Sequence, residues 1–151
     1  MYHLMIKRLA RRNFQRLTAG DWKPILDGLA PNVRHVYPGQ NAVGGTRTSR
    51  ADVRRWFERV YRLFPQFHEE VQEILVGGWP WNTVVAVQWV ATTHSSVLDE
   101  TLEMHGVHVV RFRWGKITEL QAYPDTEKFS EYLARLAAAG IDEAAAPPIE
   151  S

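Results

Sequence analysis

The chain has 151 residues, a formal net charge of +1 and no cysteine. This length fits one domain, the near-neutral charge favours no particular macromolecular partner, and the lack of cysteine excludes disulfides, thiolate catalysis and cysteine-ligated metals. Six Trp, six Phe and five Tyr are many for this size, and they suit a fold whose side chains wall a cavity as well as fill a core.

Two helices are predicted at the start of the chain. An apolar stripe at helical spacing predicts the first, which Gly20 ends, and its members are Ile6, Leu9, Ala10, Phe14 and Leu17. Asn13 interrupts this stripe, so its amide needs a hydrogen-bond partner in the protein or in a ligand. The opposite side is basic and is expected to be solvated surface, and it consists of Lys7, Arg8, Arg11 and Arg12. Asp21 predicts the cap of a second helix that runs to Leu29.

A strand and a third helix follow. Alternation from Val33 to Tyr37 predicts a strand, and the glycine-rich segment after it predicts an irregular loop. Ser49, with Asp52 three residues later, predicts the start of the third helix, which Pro65 ends. The apolar face of that helix consists of Val53, Trp56, Phe57, Val60, Tyr61 and Phe64.

Four extended stretches and one more helix are predicted after Pro65. The stretches are His68–Val76, Asn82–Thr93, Thr101–Trp114 and Ile117–Tyr123. The helix begins at Asp125 or Thr126, with Asp125 as its expected cap, and runs through Leu136. Helices that precede a meander of strands favour an α+β fold over a doubly wound sheet. We expect a single domain over residues 1–140 and a disordered, Ala- and Pro-rich tail over residues 141–151.

Several short sequence motifs, in the order in which they occur, resemble those of one family. They are Thr18-Ala19-Gly20-Asp21-Trp22, Gly44-Gly45-Thr46-Arg47 and Gly115-Lys116-Ile117. Over about residues 3 to 138 the chain resembles nuclear transport factor 2 and the polyketide-cyclase-like (SnoaL-like) proteins. The resemblance implies the cone-shaped, NTF2-like α+β fold, in which a strongly bent sheet wraps around helices and encloses an apolar pocket, and it implies a homodimer. Family members include isomerases, cyclases, epoxide hydrolases and proteins without chemistry, so the fold alone does not choose a function.

The strand pattern and the resemblance together place polar side chains in this pocket. By analogy with ketosteroid isomerase, the face of the first strand that carries His35 and Tyr37 points inward. On the third long strand His108 points inward, because Arg111 on the other face needs water or a partner. His105 then points away from His108, so these two residues do not form a metal site. We expect neither a metal nor a cofactor.

The resemblance also assigns candidate catalytic residues. The acid–base and oxyanion-holding positions of ketosteroid isomerase match Tyr37, Asn13 and His108, and the last-strand aspartate of the cyclases matches Ala122. The family's acids are absent from these positions, but three of the four are polar, which favours a pocket kept for a polar ligand group. We hypothesise that His35 is the general base. Tyr37, with Asn13 or His108, would then polarise a carbonyl or hydroxyl group.

The pocket leaves three classes of function open. Its apolar walls are expected to contain Trp56, Phe57, Trp89 and Phe112. The chain is then an isomerase-, cyclase- or hydrolase-type enzyme that transfers protons on a small, largely apolar oxygenated molecule, a binding protein with the same pocket, or a dimeric interaction domain whose pocket is filled by its own side chains. An acid directed into the pocket would favour an enzyme, and the candidates are Glu70, Glu73, Glu103 and Asp125.

Partners and location follow from what the sequence lacks. No apolar run reaches the length of a membrane span, and no recognised nucleic-acid-binding module is visible. We therefore expect a cytoplasmic protein whose partners are a small oxygenated molecule and a second copy of the chain, with no nucleic-acid or membrane partner.

Overall fold

The chain folds into four α-helices, six β-strands and a short 3-10 helix. The computed structural model describes residues 1–151. In chain order the elements are α1 (Tyr2–Thr18), α2 (Lys23–Asp27), β1 (Leu29–Tyr37), β2 (Gly45–Arg47), α3 (Arg50–Leu63), β3 (His68–Trp79), β4 (Asn82–Ser95), β5 (Glu100–Arg113), β6 (Lys116–Pro124) and α4 (Thr126–Ala138), and the 3-10 helix is Asp142–Ala145. None of the helices is long and apolar enough to cross a membrane.

All six strands form one sheet in the order β2-β1-β6-β5-β4-β3. Strands β3 to β6 form the predicted antiparallel meander, and β1 then pairs in parallel with β6, with His35 opposite Leu120. Helix α1 packs along β3, and α3 packs against β1. The apolar core lies between the helices and the inner face of this curved sheet. The predicted α+β architecture is confirmed.

The starts of two helices are set by side-chain caps that the sequence predicts. The Ser49 hydroxyl accepts a hydrogen bond from the backbone N–H of Asp52, and the Asp125 carboxylate accepts one from the N–H of Lys128. Helix α2 differs from the prediction, because it begins after Trp22 and has no side-chain cap at Asp21. Tertiary packing explains the shift, since the Trp22 ring stacks on another aromatic ring at a centroid distance of 5.4 Å.

The C-terminal segment is docked rather than disordered, which differs from the expectation for residues 141–151. Ile149 is only 6% exposed, and the backbone N–H of Ser151 donates to the carbonyl of Thr46 in β2. The carbonyl of Pro147 accepts from Arg59 of α3. Composition predicted disorder, but these contacts are made with residues far away in sequence, so composition does not report them.

One strand glycine is required by close packing. Gly106 of β5 lies opposite Trp89 of β4, and a Cβ at this position would lie 2.4 Å from the Trp89 ring. We expect Gly106→Ala to destabilise the fold by about 1–3 kcal/mol, since the overpacked ring must shift. Gly77→Ala is the matched control, because a Cβ there meets no atom within 4 Å. Urea unfolding measures both free energies, and equal losses in the two variants would contradict the packing argument.

Candidate functional site

A cavity lies between the inner face of the sheet and the helices. Its volume is about 120 Å³, and most of its lining side chains are apolar. The side chains in the lining that carry hydrogen-bonding groups are Asn13, His35, Tyr37, Trp56, Tyr61, Glu69, Thr92, Thr93 and His108. The cavity is therefore an apolar space in which a few polar groups are held at fixed positions.

Strand β1 contributes two polar aromatic residues, as its alternation predicts. His35 and Tyr37 are 4% and 7% exposed and line the cavity, whereas Arg34 between them is exposed. The Tyr37 hydroxyl has no hydrogen-bond partner in the protein. Burial raises the pKa of Tyr37, and the negative charge of Glu69 raises it further. Tyr37 therefore keeps its proton and is a hydrogen-bond donor for a molecule in the cavity.

The ring of His35 is fixed by a buried arginine. Arg47 Nε donates to His35 Nδ1 at 2.8 Å, so Nδ1 is an acceptor and the single proton of the neutral imidazole is on Nε2. Burial and then the charge of Arg47 hold the pKa of His35 well below its ordinary value. The hypothesis that His35 is a general base is therefore corrected, because its basic nitrogen is already occupied. In this arrangement His35 is a neutral donor.

His108 is held in the same tautomer by a different group. Trp89 Nε1 donates to His108 Nδ1 at 2.6 Å, which leaves the proton on Nε2. Burial lowers the pKa of His108 to about 4, so the ring is neutral near pH 7. Its centroid lies 6.4 Å from that of Tyr37 and 5.6 Å from that of Phe14. The structure thus brings the predicted donors His108 and Tyr37 together on one wall.

The other predicted residues divide into those that line the cavity and one that does not. Asn13 is half-buried in the lining, and its Oδ1 accepts from Arg16 Nη1 at 3.5 Å. Three predicted wall residues line the cavity, and they are Trp56, Phe57 and Phe112. Trp89 does not, which corrects its assignment as a wall. Its ring lies across Gly106, behind His108, and is 1% exposed.

The one buried acid of the cavity is Glu69, which the sequence analysis missed. It lies on β3, is 8% exposed, and its carboxylate oxygens have no hydrogen-bond partner in the protein. Its backbone is anchored, because its N–H donates to the Thr18 hydroxyl at 3.0 Å. Burial raises the pKa of Glu69 from 4.5 to about 8. This carboxyl group is therefore the titratable group of the cavity that changes charge closest to neutral pH.

A signal for this acid was present in the sequence. Glu69 and Glu70 are adjacent on a strand, so they point to opposite faces and one of them must point inward in either register. The register itself was ambiguous because β3 is irregular between Val71 and Glu73. All four acids that the sequence analysis considered are on the surface, and they are Glu70, Glu73, Glu103 and Asp125.

The side chains near Glu69 indicate where the cavity meets solvent. Leu17, Tyr61 and Phe67 line the cavity and are only half-buried. The Tyr61 hydroxyl donates to the carbonyl of Leu17, and the rings of Tyr61 and Phe67 pack edge to face at 6.3 Å. The ends of α1 and α3 therefore meet the start of β3 here, close to Glu69. No group of three or more His, Asp or Glu side chains is arranged to hold a metal ion.

Sequence comparison identifies the family of this fold. The profile of the SnoaL-like domain matches residues 10–120, and the chain belongs to that family. Among solved structures, an NTF2-like protein of unknown function from Burkholderia pseudomallei is 20% identical, with 83% of this chain and 94% of that chain covered and a TM-score of 0.70. TerC, co-crystallised with polyporic acid, is 23% identical over 83% of this chain and 95% of its own, with a TM-score of 0.65.

A third similar structure is a protein from Xanthomonas campestris pv. campestris that is proposed to be a polyketide cyclase. It is 20% identical, 78% of this chain and 87% of that chain are covered, and the TM-score is 0.56. At these identities the likeness establishes the fold and no more. No curated protein matches the sequence.

The raised pKa of Glu69 makes the stability of the fold pH-dependent in a defined direction. The folded state holds the Glu69 proton more tightly than the unfolded chain does, so stability falls as pH rises from about 4.5 to about 8. We expect Glu69→Gln to remove this loss of stability. The free energy of unfolding of the variant should then exceed that of the wild type by a margin that grows by up to about 1.4 kcal/mol per pH unit as pH rises. Urea unfolding across this range measures the difference. Glu70→Gln, at an exposed site, is the control, and the same pH trend in both variants would contradict the assignment.

Proposed function

We propose that the protein is an enzyme that transfers a proton within a small, largely apolar oxygenated molecule, with Glu69 as the proton carrier. The observation that supports this most directly is the Glu69 carboxyl group, which faces the cavity and has no hydrogen-bond partner in the protein. An acid whose pKa is strongly shifted inside a cavity is a candidate functional residue. Its pKa of about 8 is close to neutrality.

Glu69 fits the requirements of a general acid–base residue. Such a group works best when its pKa is near the operating pH, because both the acid and the base form are then available. In its ionised form Glu69 takes a proton from a carbon next to a carbonyl group, and the electron pair of that bond moves to the carbonyl oxygen. Where the substrate also carries a carbon–carbon double bond one carbon further from the carbonyl group, the acid form of Glu69 returns the proton to the far carbon of that bond. The double bond then shifts next to the carbonyl group, and the isomerisation needs no co-reactant.

The remaining polar groups suit the oxygen that becomes negative in this step. His35 and His108 are neutral donors through Nε2, and Tyr37 is a donor through its hydroxyl, so all three stabilise a developing oxyanion. Because the two imidazoles are fixed by Arg47 and Trp89, they do not need to reorient during the reaction. Donors of this kind contribute about 10²–10³-fold each.

The walls and the similar structures support a compact, mostly apolar ligand. The aromatic rings of Trp56, Phe57 and Phe112 line the cavity and give it mostly apolar walls. TerC was crystallised with polyporic acid, and the Xanthomonas protein is proposed to be a polyketide cyclase. Both descriptions agree with an oxygenated carbon skeleton as the ligand, and neither names the substrate of this chain.

Exchange of carbon-bound hydrogen tests this function without knowledge of the natural substrate. A panel of small ketones, including cyclohexanone and 2-tetralone, is incubated with the protein in D₂O, and NMR measures the loss of α-proton signal. We expect catalysed exchange that rises with pH toward about 8, as Glu69 ionises. Glu69→Gln should slow it by about 10²–10⁴-fold.

Glu70→Gln is the matched control for this experiment, since Glu70 is the exposed neighbour of Glu69. This variant should catalyse exchange of the ketone α-protons at the wild-type rate. A thermal-shift measurement with the same ketones separates binding from turnover, because a ligand at 100 times its Kd adds about 2.7 kcal/mol of stability. Ketones that bind without any exchange in the wild type would mean a binding protein rather than an enzyme.

We also propose that the outer face of the sheet joins two copies of the chain. Leu75 and Tyr123 on this face are each 58% exposed, and Val107 and Val109 of β5 lie between them, half-buried. Val109→Glu places a charge at the centre of this apolar band and should convert a dimer to a monomer in sedimentation equilibrium. Val97→Glu, at an exposed turn, is the control. A wild-type protein that is monomeric at micromolar concentration would rule the proposal out.

A further inference from the structure

One end of the molecule carries three exposed tryptophans that the cavity does not use. Trp79 and Trp81 lie at the turn between β3 and β4, and Trp114 lies at the turn between β5 and β6. They are 58%, 57% and 74% exposed. Large exposed aromatic patches on a folded protein mark a surface that binds something. We call Trp79, Trp81 and Trp114 the aromatic end.

Contacts join the aromatic end into one surface. The rings of Trp79 and Trp81 stack at 6.3 Å, and those of Trp81 and Trp114 lie 6.3 Å apart. The backbone N–H of Trp114 donates to the carbonyl of Pro80, which ties the two turns together. Tyr2 of α1 stacks on Trp79 at 6.5 Å, so the start of α1 belongs to the same surface.

Helix α1 extends this surface with apolar and basic side chains. Leu4, Met5 and Leu9 are 53%, 56% and 40% exposed although they are apolar. One shallow hollow along the outside of the helix is lined by Leu4, Lys7, Arg8, Arg11, Arg12 and Gln15. Helix α1 contains no acidic residue. The exposed face therefore combines apolar side chains with an uncompensated positive charge.

The basic residues of this surface form no ion pairs. Five exposed arginines elsewhere do form ion pairs with carboxylates, and these are Arg34, Arg55, Arg62, Arg111 and Arg135. No ion pair involves the four basic residues of the hollow, and none involves Arg113 or Lys116, which flank Trp114. The positive charge of this end is thus free to meet an anionic partner.

We propose that the aromatic end and the basic face of α1 together are a docking surface for an anionic lipid bilayer. Tryptophan favours the interface between lipid headgroups and acyl chains, and an amphipathic helix rich in Lys and Arg lies along that interface. Each basic residue near an anionic membrane adds attraction. The three tryptophans lie at the turns of two hairpins and are exposed, which suits entry into a lipid interface.

This docking differs from the sequence-based expectation of no membrane partner. That expectation depended on the lack of a membrane-spanning run, and peripheral docking needs none. It is also independent of the proton-transfer function proposed for the cavity, because Trp79 lies at the end of β3 opposite Glu69.

Vesicle sedimentation tests the proposal with the full chain. The wild type is mixed with vesicles of phosphatidylcholine alone and with vesicles that also contain phosphatidylglycerol. We expect binding to the anionic vesicles only, and weaker binding at high salt, since salt screens the attraction. Arg8→Glu with Arg12→Glu should weaken binding at least about tenfold. Trp81→Ala with Trp114→Ala should also weaken it, and circular dichroism checks that each variant is folded.

Two matched controls separate the surface from general effects. Arg54→Glu with Lys128→Glu makes the same change in net charge at exposed sites outside the surface, and Val97→Ala removes apolar surface from a turn residue that is 51% exposed elsewhere. Both should bind like the wild type. Equal binding to the two vesicle types, or equal losses in the α1 variant and the charge control, would overturn the proposal. A third result would also overturn it: the wild type binds no vesicle but self-associates, and Trp81→Ala with Trp114→Ala abolishes the self-association. The partner of this surface would then be a second copy of the chain.

Discussion

The buried cation of Arg47 is the constraint on which the cavity region depends. A guanidinium without solvent costs several kcal/mol unless nearly all of its N–H groups find acceptors. Arg47 is 0% exposed, and its donors reach His35 Nδ1 and the carbonyls of Gly44, Gly45 and Ile149, while its carbon centre lies 5.4 Å from the Trp56 ring centroid. Burial lowers the pKa of Arg47 only to about 10, so it stays charged. One side chain therefore joins β1, β2, α3 and the C-terminal segment.

This arrangement divides the chemistry of the cavity between fixed donors and one acid. Arg47 and Trp89 each occupy the Nδ1 atom of an imidazole, and both rings then present an N–H that does not titrate near pH 7. Glu69 has the opposite situation, because nothing in the protein satisfies its carboxylate. The same burial that keeps the histidines neutral thus moves the acid into the range where it exchanges its proton. The role of each of these side chains in the cavity therefore follows from the neighbour that it bonds, or from the lack of one, and not from its residue type alone.

Local signals predicted more of the fold than of the site. The caps at Ser49 and Asp125, and the shared face of His35 and Tyr37, depend on residues a few positions apart, and they were predicted correctly. That this face points inward was an implication of the family resemblance. The short strand β2, the docked tail and the Arg47 bond to His35 depend on pairs that only tertiary structure brings together. Glu69 was missed for a related reason, since the register of β3 is decided by its partner β4.

The parallel pairing of β1 with β6 has a consequence for how the protein is made. Strand β1 pairs early with β2, but its other neighbour is β6, and Thr46 of β2 is bonded by Ser151. One edge of β1 therefore lacks its neighbour until the end of the chain is available. Closing such long loops loses conformational entropy before the strand contacts form and offset that loss. Folds with distant pairings therefore assemble slowly. During synthesis, β1 therefore waits with an open edge and an apolar face, while the β3–β5 meander is able to form first. The nascent chain is most exposed to aggregation in this interval, and a chaperone that shields β1 would act there.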